Sequence, residues 1–180
     1  PRQALTIGTG AQAEAVEAFA TTYAALGIAI DRLDRTELAT RIPGLRPEWT
    51  HGALEPSCCD IDVAGLHQHY LTAMRGGGVD LWCRARLANA TRRGDEWNLT
   101  LADGRVVHCQ VLVNAAGAWA DPVAQLAGAR PLGIAPLRRT IAQLRVDPSV
   151  PAELPLVLDV AGQFYFKPDS GRLWLSPHDE

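Results

Sequence analysis

The chain has 180 residues, enough for one domain or a little more, and its 47% apolar content supports a sizeable core. A net charge of −3 gives no pull toward nucleic acid or an anionic membrane surface. No apolar run reaches the roughly 18 residues that span a bilayer, and no signal-peptide pattern is legible at the start.

In chain order, Leu5-Thr6-Ile7 is a short strand candidate. Val16, Phe19, Tyr23 and Leu26 then recur at helical spacing, and Gly27 stops that helix. Ile28-Ala29-Ile30 suggests another short strand. Asp34 with Glu37 forms a capping-box pattern for a helix over 35–41, ended by Ile42-Pro43-Gly44. Residues 45–56 read as loop, with a strand possible at 52–54. Asp62 is placed to cap a helix whose apolar face is Val63, Leu66, Tyr70 and Met74, closed by three glycines at 76–78. A strand is expected over 79–87. Residues 96–101 and 106–113 flank an Asp103-Gly104 turn and read as a hairpin. A helix over 118–126, a strand over 138–146 and a second hairpin around Asp169-Ser170-Gly171 complete the pass. Helices and strands alternate early and hairpins dominate late, so the expected class is α+β, or two subdomains of different character.

The four cysteines, Cys58, Cys59, Cys83 and Cys109, form no CxxC and read as reduced thiols of a cytoplasmic protein. His67 and His69 are two apart and diverge on a helix, so no metal site is expected. The sparse Arg92-Arg93 and Arg138-Arg139 pairs do not make a nucleic-acid footprint.

Three stretches invite chemistry. Residues 8–13, Gly-Thr-Gly-Ala-Gln-Ala, fit a dinucleotide fingerprint after a strand, with Asp31 placed 23 positions after Gly8 as the acid for a ribose. The leading strand is short, and the second apolar run passes straight into a helix cap. A glycine-flanked loop before an ordinary amphipathic helix is therefore preferred. The alternative is a non-catalytic nucleotide-binding or interaction module built on residues 8–13 and Asp31. The second stretch is Val111-Leu112-Val113, continuously apolar like a strand covered on both faces, running into Asn114-Ala115-Ala116-Gly117. Small residues at a strand's carboxyl end leave room for a ligand beside the backbone, or for tight strand–helix packing. The third is Phe164-Tyr165-Phe166-Lys167-Pro168, which puts aromatics on both faces of a strand.

Taken together, CCDIDVAGLHQHYLTAMRGGGVDLWCRARL, VLVNAAGAWADPVAQLAGARPLGIAPLRRT and QFYFKPDSGRLWLSPHDE resemble the middle of the D-amino acid oxidase/glycine oxidase superfamily of FAD-dependent oxidoreductases. The resemblance runs from about Asp60 to the end, and NAAGAW with its following helix is its most specific part. It implies a central piece of a longer protein, whose pyrophosphate-binding glycine loop would precede Pro1 and whose last strands would follow Glu180. It divides the chain into helical and substrate-domain elements over 1–78, part of an FAD-binding domain over 79–130, and substrate-domain sheet over 131–180. Leu87, Asn114, Ala115, Ala116, Gly117 and Trp119 would border FAD, with Leu87 standing where the family usually has Val. Tyr165 would face a substrate carboxylate, and Lys167 would lie at the pocket edge. The implied reaction oxidises the C–N bond of an amino acid or related amine: a hydride passes to flavin N5 and the imine is hydrolysed. No side chain here need act as a base, and the piece alone is expected to be inactive and without FAD.

Overall fold

The computed structural model describes residues 1–177. It is an α+β fold that divides into two units. The first comprises Pro1–Val63 and the chain from Arg138 onward; the second is Ala64–Leu137.

The first unit is built on a seven-stranded mixed sheet. Its strands are β1 (Ala4–Thr9), β2 (Asp31–Leu33), β3 (Trp49–Glu55), β7 (Ala142–Leu144), β8 (Leu156–Asp159), β9 (Tyr165–Asp169) and β10 (Arg172–Ser176). The spatial order is β2-β3-β1-β8-β9-β10-β7. Only β1 and β8 pair parallel; every other neighbour is antiparallel. Strand alternation separates the two faces. Leu5 and Ile7 of β1 point to one face and pack with Leu33, Leu54, Val157 and with Leu38 of α2 (Arg35–Arg41). The other face of β1 and β3 is covered by α1 (Ala13–Ala25), whose Val16 and Ala20 pack on Ala53.

Helix α2 forms where the capping pattern places it. The Asp34 carboxylate accepts the Glu37 backbone N–H at 2.9 Å, and the Glu37 carboxylate accepts the Asp34 N–H at 2.9 Å. Two orphan donors of the first turn are thereby satisfied. A 3-10 turn, Gly10–Gln12, leads into α1, and Gln12 Oε1 accepts both the Thr9 N–H and its hydroxyl.

The second unit carries a three-stranded antiparallel sheet, β4 (Leu87–Arg93), β5 (Glu96–Leu101) and β6 (Val106–Cys109). Ala90, Leu99 and Leu101 are its buried apolar positions, and α4 (Ala120–Leu126), with buried Ala124, packs against β4. Helix α3 (Val63–Gly76) buries no residue, and its apolar face at Val63, Leu66 and Tyr70 is exposed.

Several expected elements differ. The strand over 28–30 is displaced to Asp31–Leu33, because the partners it finds are Gly52, Ala53 and Leu54 of β3. Residues 79–86 hold no strand; β4 starts at Leu87, where pairing with Leu101 begins. The strand over 138–146 shortens to Ala142–Leu144, the only part that meets β10. Val111-Leu112-Val113 is not in a strand and is not covered on both faces: Val111 is 74% and Val113 77% exposed, Leu112 is half-buried, and no strand pairs with them among the described residues. No cysteine is in a disulfide among the described residues.

Candidate functional site

The first of the fingerprint-like glycines serves packing. A Cβ on Gly8 would sit 2.6 Å from Val16 Cγ2 and 3.2 Å from Gln12 Cβ, so the glycine lets α1 lie directly on β1. The strand next to β1 on that side is β3, antiparallel, and β2 lies beyond it. A dinucleotide fold instead needs parallel neighbours around its first strand. The nearby groove of about 370 Å³ is lined by Glu14, Glu17, Arg32 and His51. Arg32 is held bidentately by Glu17, at 2.7 and 2.6 Å, which lowers the Glu17 carboxyl to about 2. A groove with two carboxylates and an already neutralised guanidinium suits a phosphate poorly.

In the second unit, Asn114 organises its own neighbourhood. Its Oδ1 accepts the Ala116 N–H at 3.2 Å and its Nδ2 donates to the Ala120 carbonyl at 2.8 Å, tying the turn to the start of α4. Gly117 takes φ +55°, the left-handed region that favours glycine, and a Cβ there would meet nothing within 4 Å. The glycine is thus required by conformation, not by crowding within the chain. Ala115 and Trp119 are exposed, the latter at 72%, and Leu87 is half-buried at the start of β4. Asp121, unremarked in the sequence, fixes the loop beyond α4: its carboxylate accepts the N–H groups of Leu132, Gly133 and Ile134, each at 2.8 Å. These bonds, that from Leu132 foremost, hold its carboxyl below the usual range. An acid in a first helical turn ordinarily reads as a partner of the helix dipole, which hides this role.

In the first unit, Tyr165 and Lys167 share one face of β9, opposite Phe164 and Phe166, which pack on the core. Across the register, Trp174 of β10 pairs with Lys167 and Ser176 pairs with Tyr165. The Lys167 Nζ lies 5.8 Å from the Trp174 ring centroid. It donates to Asp60 Oδ1 at 2.8 Å, while Arg2 Nε donates to Asp60 Oδ2 at 2.7 Å. Arg2 is anchored in turn by the carbonyls of Ala152 and Leu154. Lys167 first, then Arg2, keep the Asp60 carboxyl below its ordinary range. Asp60 lies 107 residues from Lys167 in sequence, and no local pattern announces the pair.

The DAO family, the FAD-dependent oxidoreductases, matches residues 1–180. The chain belongs to this family. The hydrogen cyanide synthase subunit HcnC of Pseudomonas aeruginosa is 30% identical over 151 residues, which is 82% of this chain and 35% of that protein. Among solved structures, an L-α-glycerophosphate oxidase from Mycoplasma pneumoniae with FAD bound superposes with TM-score 0.82 at 17% identity, over 98% of this chain and 49% of that one. A glycine oxidase from Geobacillus kaustophilus gives 0.75 at 18% identity, over 97% and 46%. The chain therefore spans between a third and a half of the length of these relatives. FAD is the family's cofactor; from Asn114 to Gly117 the side chains are small, Asn114, Ala115 and Gly117 are exposed, and a Cβ on Gly117 would meet nothing within 4 Å, so this turn has room for a group beside its backbone. The described residues after Lys167 include all of β10; His178-Asp179-Glu180, the end of the third resembling stretch, lie outside them.

Proposed function

We propose that this chain is the central portion of an FAD-dependent oxidoreductase that oxidises the C–N bond of an amino acid or related amine. The observation that carries the proposal is the family match along the whole chain, together with a 30% identical relative. The second unit supplies Leu87, Asn114, Ala115, Ala116, Gly117 and Trp119 as the border of the cofactor, and the first supplies Tyr165 and Lys167 toward the substrate.

When bound, FAD supplies the two-electron acceptor, and the chemistry of the C–H cleavage is its own. The chain's residues bind and orient. The Tyr165 hydroxyl, on the strand face opposite the one anchored by Phe164 and Phe166, holds the polar end of the substrate. The rigid strand makes this a positioning effect. Lys167 stands at the border of the same face. Asn114 keeps the cofactor-side turn in shape through its bonds to Ala116 and Ala120. No residue is assigned as acid or base. The 180-residue chain alone is expected to oxidise nothing and to retain no FAD.

The named neighbours include an oxidase of an amino acid and one of a glycerol phosphate, and at under 20% identity their likeness concerns the fold. Product analysis separates the two chemistries. The full-length protein supplied with glycine and oxygen should release ammonia, as an imine does on hydrolysis. Turnover of glycerol phosphate without ammonia release from any amine would replace C–N by C–O oxidation.

A further inference from the structure

Lys167 is the cation nearest Tyr165 on its face of β9, but its charge is already engaged. Asp60 takes one of its three donors at 2.8 Å, and Asp169 lies at 3.9 Å, beyond hydrogen-bond reach. Arg2 adds a second cation on Asp60 and is itself fixed by two backbone carbonyls. Among the described residues the Asp60 carboxylate is shared by Lys167 and Arg2, and Arg172 of β10 stands opposite Asp169 on the same face, so a carboxylate arriving beside Tyr165 meets a Lys167 that is already engaged. Asp60 is not shaped by burial: its side chain is 44% exposed, against 24% for Lys167.

We propose that Asp60 is a positioning residue that sets the charge preference of the Tyr165 face by withholding Lys167 from the carboxylate of a substrate. This rests on the reading of that face as the substrate side. With Asp60 present, the ammonium is held against Asp60 and beside the Trp174 ring. Substrates with little or no negative charge are then not disfavoured relative to amino acids. Without the Asp60 charge, Lys167 and Arg2 lose the carboxylate they share, and the face turns more cationic.

The test uses the full-length protein with Asp60→Asn, Asp60→Ser, Asp60→Glu and the double variant D60N/K167M. Glycine and methylamine differ by one carboxylate, so the ratio of their KM values reads the charge preference. Acetate titrated against the protein by NMR shift reads it without turnover. In Asp60→Asn and Asp60→Ser the glycine-to-methylamine KM ratio and the acetate Kd should each fall about threefold, the scale of one partly exposed ion pair. Asp60→Glu should restore the native ratio, and D60N/K167M should lose the gain. Equal shifts for glycine and methylamine, an acetate Kd that does not change, or a gain that survives in D60N/K167M would each overturn the proposal. If neither compound is oxidised, neither is a substrate and the C–N reading falls to the flavin test with other amines, while the acetate arm still decides the role of Asp60.

Discussion

Gly8 and Gly10 sit two residues apart and do different work. Gly8 is filled over by Val16, whereas a Cβ at Gly10 would come no closer than 3.8 Å, to Thr50 Oγ1. Gly8→Ala should therefore cost about 1–3 kcal/mol through overpacking, and Gly10→Ala should stay within about 0.5 kcal/mol. Urea midpoints of the two variants check this. A phosphate-binding loop would show the reverse emphasis, with Gly10→Ala losing nucleotide affinity. Asp121 gives a pH-dependent case. Its carboxyl is lowered in the folded chain by three backbone N–H donors, so the folded state prefers the anion. That stabilising contribution is present above the unfolded carboxyl pKa of about 3.9 and is lost as pH falls through the lower folded value. Urea midpoints measured from about pH 5 downward should fall more steeply for the native chain than for Asp121→Asn. Parallel acid limbs would show that the carboxylate does not hold the loop at 132–134.

Elements whose signals are local were legible. The Asp34–Glu37 box over α2 and the turns at Asp103-Gly104 and Ser170-Gly171 each announce themselves within a few residues. Asp34→Ala should cost about 1 kcal/mol by removing the cap, measured as a lowered urea midpoint; an unchanged midpoint would mean α2 is held by Leu38 alone. Elements made by distant pairing were not legible. Strand β8 is four residues long and gains its place from β1, about 150 positions earlier, with Val157 fully buried against it. Nothing in Leu-Val-Leu-Asp names that partner. Val111–Val113 failed in the opposite sense: an apolar run predicts burial only if something lies beside it, and no strand does among the described residues. The site divides the same way. Of the proposed site residues, Asn114 and Gly117 stand out in a short motif, Tyr165 and Lys167 enter only through the family resemblance, and the Asp60 partner of Lys167 required the fold to bring it there.

At the scale of the whole molecule, two units carry different parts of one proposed function. The first presents a strand face with Tyr165, Lys167 and Trp174; the second presents an exposed small-residue turn and several uncovered apolar side chains, Val111, Val113 and Trp119 among them. Such exposure is unusual for a self-sufficient soluble surface, and the chain spans only 35–49% of the relatives named above. The family assignment makes the flavin the natural reporter of the entire account. The decisive measurement is the visible absorbance of the full-length protein mixed anaerobically with glycine or another small amino acid. The account predicts a yellow protein whose flavin band bleaches on mixing; a full-length, folded protein that is colourless, or whose flavin band no amine bleaches, would contradict it.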